Sequence, residues 1–193
     1  MKDFSTYISE KLKLSTKTKK GYDFYPETTN ELKELIGGLV EKGINDFNNI
    51  SLEEIKETSL EYIFENINVE KIHIEDWDFS KFKDIHGLFW NNHDVEEIFF
   101  GDDLDTSNVT NFYGVFYNCH ELKHVHNLDK FNITKAQAND LEMMFKNCEN
   151  LQNLKNDTSN WELPEFDENI PDNMFEDVPE LYQPDWFKKR IKK

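Results

Sequence analysis

One feature restricts what this chain can fold into more than any other: a phenylalanine, always preceded by an apolar residue, recurs at near-regular intervals. The pairs are Ile63-Phe64, Leu88-Phe89, Val115-Phe116, Met144-Phe145 and Met174-Phe175, and the phenylalanines lie 25, 27, 29 and 30 residues apart. A period of this length belongs to repeat architectures, in which one supersecondary unit is too small to bury its own apolar face and stacking supplies the core.

The rest of the unit follows from the same anchor. Four residues before the Phe stand Leu60, Ile85, Phe112 and Leu141, with Pro171 in the last copy; Phe82 and Val109 lie a further three residues back. Spacings of three and four predict a short helix with one apolar stripe. Six residues after the Phe come Val95, Leu122, Leu151 and Leu181, then Ile98, Val125 and Leu154; the first copy has Val69 and Ile72 one residue early. That part predicts a short strand. The expected fold class is therefore α/β: a solenoid of about five helix-strand repeats over residues 49–181, with a parallel sheet at about 4.8 Å strand spacing and a ladder of phenylalanines inside.

The flanks read as caps. Thr28-Thr29-Asn30-Glu31 opens a stretch with Leu32, Leu35, Ile36, Leu39 and Val40 at helical spacing, predicting a capping helix over 30–42 that stops before Gly43, within a cap region of 21–48. Residues 1–20 form a basic segment with Phe4, Tyr7, Ile8 and Leu12 on one helical stripe, and Lys17 to Lys20 read as a joint. At the far end, residues 182–193 combine Trp186 and Phe187, expected to plug the last repeat, with Lys188, Lys189, Arg190, Lys192 and Lys193.

Charge is unevenly placed. The net charge is −17, yet 11 of the 22 basic residues and only 2 of the 39 acidic ones sit in 1–20 and 188–193, so positions 21–187 carry a balance of −26. Such a body repels phosphates and anionic membranes, which argues against direct nucleic-acid or membrane binding and fits a protein partner with a basic surface. The opening residues contain no apolar stretch of signal-peptide length, and 2 cysteines make no disulfide framework. Both point to the cytoplasm.

The third unit, Leu104-Asp-Thr-Ser-Asn-Val-Thr-Asn-Phe-Tyr-Gly-Val-Phe-Tyr-Asn-Cys119-His-Glu-Leu122-Lys-His-Val125, resembles the BspA-like leucine-rich repeat, whose unit is similar to L-D-x-S-N-V-T-N-M-x-x-M-F-x-x-C-x-x-L-x-x-L. The units at Trp77 to Ile98, Ile133 to Leu154 and Leu163 to Leu181 match in part, and Leu52 to Ile72 weakly. Tyr25 to Ile36 is similar to the leader that often precedes such repeats in bacterial and phage proteins. The resemblance implies a binding protein, adhesive or intracellular, and brings no enzymatic role.

Candidate chemistry is sparse. Cys119 and Cys148 share one repeat position, three after the Phe, and read as packing residues. His120, His124 and His126 lack a full zinc ligand set, and the acids at 75–78 and 101–105 lack a calcium-loop pattern. No nucleophile motif, phosphate loop or dinucleotide fingerprint is present. The expectation is a non-enzyme without metal or cofactor. Alternation along the strands sends outward Lys71, His73, Glu97, Phe99, His124, His126, Asn153 and Lys155, the candidate protein-binding face. Two other functions fit the charge pattern: an acidic mimic of nucleic acid that inhibits a host enzyme, and a phage virion or structural component tagged by its basic N-terminus.

Overall fold

The computed structural model describes residues 21–67, 69–159, 161–163 and 171–191. The expected first helix and joint of the segment 1–20 lie outside these residues. The architecture is mixed α/β. A helix, α1 (Thr29–Val40), precedes three short strands, β1 (Lys71–Ile74), β2 (Glu97–Phe100) and β3 (His124–His126); two helices follow, α2 (Leu154–Asp157) and α3 (Asp185–Ile191). The strands form one parallel sheet in the order β1-β2-β3, with Ile72, Ile98 and Val125 in register.

Helix α1 starts where its capping sequence says it should. The Thr28 hydroxyl accepts the Glu31 amide, and the Glu31 carboxylate accepts the Glu27 amide. Leu32, Leu35, Ile36 and Leu39 are buried, and Gly43 takes the left-handed backbone after the last turn.

The phenylalanine ladder is present as a column through the core. Phe64, Phe89, Phe116, Phe145 and Phe175 stack with centroids 5.4, 5.5, 5.3 and 5.4 Å apart and ring planes within 15° of parallel. Phe47 covers one end at 5.3 Å, and Phe187 of α3 covers the other at 4.6 Å. The aromatic plug expected of the C-terminal tail is thus in place. Trp77 and Trp161 flank the column, and each indole N–H donates to a backbone carbonyl, of Phe47 and Leu128 respectively.

The helix predicted before each Phe forms only as a short 3-10 turn in the last two units, Ala138–Leu141 and Asp172–Phe175, and is absent from the first three. Residues two before and two after the Phe adopt left-handed backbone: Tyr62 and Asn66, Gly87 and Asn91, Gly114 and Asn118, Met143 and Asn147. This alternation turns every second amide away from its own turn and toward the next unit. The amides of Leu60, Tyr62, Phe64 and Asn66 donate to the carbonyls of Asp84, His86, Leu88 and Trp90 at 2.9 to 3.2 Å. Those of Ile85, Gly87, Phe89 and Asn91 donate in turn to Asn111, Tyr113, Val115 and Tyr117. An isolated helix would keep these bonds inside one unit, whereas here they tie neighbours together. Gly87 and Gly114 are needed twice over, because a Cβ there would also meet the rings of Tyr62 at 2.2 Å and Trp90 at 2.4 Å.

The cysteines pack as read from their repeat position. Both are fully buried, and burial pushes each thiol up, Cys119 to about 12. Their S–H groups donate to the carbonyls of Phe89 and Phe116.

Candidate binding face

Each strand is four residues or fewer and alternates half-buried with buried positions, so Ile72, Ile74, Ile98, Phe100 and Val125 face the core. The register then aligns the outward residues in two rows: Lys71, Glu97 and His124, and beside it His73, Phe99 and His126. Six of the eight residues expected on this face are therefore brought together.

The second row is a stack of three rings. His73 and Phe99 lie 4.2 Å apart, Phe99 and His126 4.0 Å apart, both at 10° between planes. Because the rings stack along the row, Phe99 has an imidazole on each face, and the ring edges look outward. Carboxylates fix the two histidines. His73 Nδ1 donates to Glu75 Oε1 at 2.9 Å, and Glu75 Oε2 accepts from Asn48 Nδ2 at 2.8 Å. His126 Nε2 donates to Glu97 Oε2 at 3.0 Å, while Glu97 Oε1 takes Lys71 Nζ at 2.7 Å.

These contacts set the electrostatics. Hydrogen bonds from Lys71 and then His126 hold the Glu97 carboxyl down to about 2. The same Glu97 bond raises Lys71. Burial works to raise Glu75, but its bonds from Asn48 and His73 outweigh that and keep it below the usual range. Burial first, and then the neighbouring His126 ring at 4.3 Å, lower His124. Beside the Phe99 ring, His73 is satisfied by Glu75, and Glu97 by Lys71 and His126.

Asn153 and Lys155 do not join it, because the fourth strand is replaced by α2. Asn153 is buried, 7% exposed, and its side chain substitutes for a strand: Nδ2 donates to the Val125 carbonyl at 2.9 Å and Oδ1 accepts the Val125 amide at 3.4 Å. The sheet edge is thereby closed by an amide side chain. Lys155 instead pairs with Asp185 of α3 at 3.1 Å. Leu181, placed on the buried series by spacing alone, is 72% exposed. On the other side the sheet continues through Asp46, which bridges to His73 in parallel.

Sequence reasoning does not single out Asn48, and it weighs Glu75 only among the acids at 75–78, not as a support of this face. Their signal is weak, since an Asn and a Glu in loops look like many others. It also passed over a cleft of about 600 Å³ lined by Tyr22, Tyr25, Glu53, Asp76, Asp78 and Lys81. There the Lys81 ammonium is taken up by the carbonyls of Leu52, Glu53 and Ile55 at 2.6, 3.3 and 2.6 Å, and burial lowers its pKa.

Most of this repeated region lies within a family match. Residues 58–186 fit the family described as "Mycoplasma protein of unknown function, DUF285". The chain belongs to that family. The DUF285 match begins one residue before Ser59, which bridges to Asp84 in the next unit, and ends at Trp186 beside the ring that caps the column. It therefore takes in the Phe column and the three-stranded sheet and leaves α1 outside. No curated protein and no solved structure matches the chain. Among the described residues no helix is long and apolar enough to cross a membrane.

Proposed function

We propose that the chain is a non-enzymatic protein-interaction module of the cytoplasm, an open stack of five BspA-like leucine-rich-type repeats that binds its partner through the outer sheet face. The observation that carries this reading is the row His73, Phe99, His126, held flat by Glu75, Glu97 and Lys71. A central half-buried aromatic ringed by satisfied polar groups has the composition of an interface hot spot, and its pre-set geometry lowers the ordering cost of binding. Since the ring faces are already covered, the partner meets the positive ring edges, which favour carbonyl oxygens and the faces of other aromatics.

The charge balance of −26 over positions 21–187 favours a second reading, an acidic mimic of nucleic acid that occupies a basic groove. Salt separates the two. In affinity capture with full-length protein and a Phe99→Ala/His126→Ala variant, a partner retained at high salt and lost in the variant supports the sheet face. Loss with salt alone, equal in both proteins, supports the mimic. A partner indifferent to both changes would sink both readings.

A further inference from the structure

The repeat brings a second histidine into a different environment. Glu61 and His86 occupy the same repeat position, three before the Phe, in adjacent units. Backbone bonds from Leu60 to Asp84 and from Tyr62 to His86, at 2.9 and 3.2 Å, hold those units side by side. Asp84 completes a trio. One ligand atom from each of Glu61, Asp84 and His86 lies within 4.8 Å of the others, which no other set of three such residues achieves among the described residues.

Proton placement on His86 is decided by its neighbours. Asp84 Oδ1 accepts both the His86 backbone amide and the ring Nδ1, each at 2.9 Å. A carboxylate has no proton to give, so Nδ1 carries one, and in the neutral ring Nε2 is a lone pair. Nε2 lies 3.5 Å from Glu61 Oε2. The distance exceeds the 2.7–3.2 Å of an N–H···O bond. It is close to the separation, about 3.4 Å, of a nitrogen and an oxygen that share one tetrahedral zinc ion at ordinary bond lengths. A carboxylate that orients a histidine through its second nitrogen is the usual outer support of a metal-bound imidazole.

The imidazole is also fixed from the side. Tyr62 packs edge-on against it, with centroids 4.8 Å apart and planes at 87°. This approach depends on Gly87, whose missing Cβ leaves room for the Tyr62 ring. Glu61, 58% exposed at its side chain, leaves the outer side open to solvent.

We propose that His86 Nε2 and the Glu61 carboxylate bind a divalent first-row transition ion of the zinc class, with Asp84 as the residue that orients His86 and water or a partner's ligand on the open side. One imidazole with carboxylates and no thiolate suits zinc, cobalt or nickel rather than copper(I), and the imidazole disfavours calcium. The competing arrangement is a doubly protonated His86 that bridges the two carboxylates with no ion.

The test uses full-length, untagged protein stripped with chelator and titrated with zinc chloride by calorimetry, with cobalt(II) absorption as a second readout. The proposal expects one saturable site per chain that survives His124→Ala/His126→Ala. It expects that site to be lost in His86→Gln, and to be weakened about 10- to 100-fold in Asp84→Asn. Glu61→Gln, a surface change whose fold is checked by circular dichroism, should weaken it at least about 10-fold and shift the cobalt spectrum. Binding that persists in both His86→Gln and Glu61→Gln overturns the proposal. So does the lack of saturable binding together with nitrogen NMR showing both His86 ring nitrogens protonated.

Discussion

Two columns of stacked rings run in the same direction through this molecule, and they differ in almost everything but register. The inner one, Phe64 to Phe175, has spacings of 5.3 to 5.5 Å, is 0 to 1% exposed and is flanked by indole rings. The outer one, His73, Phe99 and His126, is closer, at 4.0 and 4.2 Å, half-buried and braced by carboxylates. Stacking of repeats produces both, because any residue at a fixed repeat position meets its counterpart one unit away. What separates them is the face of the unit. The inner column accounts for stability, and the outer one is ordered without being needed for the core.

Removing one ring from the inner column should be the most damaging single change. Phe116 is fully buried between Phe89 and Phe145, so Phe116→Ala leaves a cavity with stacked partners on both sides. The expected loss is about 3–5 kcal/mol, read by urea denaturation. A loss under about 1 kcal/mol would mean that the column is not the principal core.

The next change acts where the columns share an edge. Asn153→Ala strips the Val125 amide and carbonyl of their side-chain partner at the end of the sheet. About 1–3 kcal/mol of destabilisation is expected, with faster hydrogen exchange at Val125 than at Ile98 as the local signature. Unchanged exchange at Val125 would show that the sheet closes by other means.

The inner column was legible in the sequence because one residue type, Phe, marks every unit at near-constant spacing. So was the pairing of Ile72, Ile98 and Val125, since the period of the repeat fixes register. The local conformation before each Phe was not. Apolar residues at Phe−4 and Phe−7 imitate a helical stripe, and the contrary signal of left-handed backbone is carried by the recurrent asparagines at Phe+2, Asn66, Asn91, Asn118 and Asn147, and by Gly87 and Gly114 at Phe−2. Periodicity reports which residues point inward, and a turn that bonds to its neighbours satisfies it as well as a helix does. The fourth strand failed for a different reason: Leu151 and Leu154 keep the apolar spacing and are buried, while the backbone between them turns into α2. The outer face, Glu97 included, was legible by alternation on three strands, while the brace on His73 was not, because Asn48 and Glu75 come from loops.

If the outer column is separable from the core, Phe99→Ala should leave stability nearly intact. Phe99 is half-buried, so the change should cost about 1 kcal/mol or less in urea denaturation. Affinity for a partner of the sheet face should fall at least about 10-fold. A destabilisation matching that of Phe116→Ala would erase the distinction between the columns and make the face part of the core.

The smallest effect is electrostatic and isolates the brace. Glu97 is held at about 2 by Lys71 and His126, below the ordinary carboxylate value of 4.5. A carboxyl depressed on folding binds protons more weakly in the native state than in the unfolded chain. Its contribution is therefore complete above about pH 4.5 and disappears as pH falls through about 2. Comparison of wild type with Glu97→Gln removes the other acids from the measurement. At pH 5 the wild type should be the more stable, and the gap should narrow steadily toward pH 2, where a protonated Glu97 resembles glutamine. High salt should shrink the gap at pH 5, since the Lys71 side chain is 39% exposed. A gap that stays constant from pH 5 to pH 2 would assign the effect of Glu97 to packing, and the outer column would then owe its order to the rings alone.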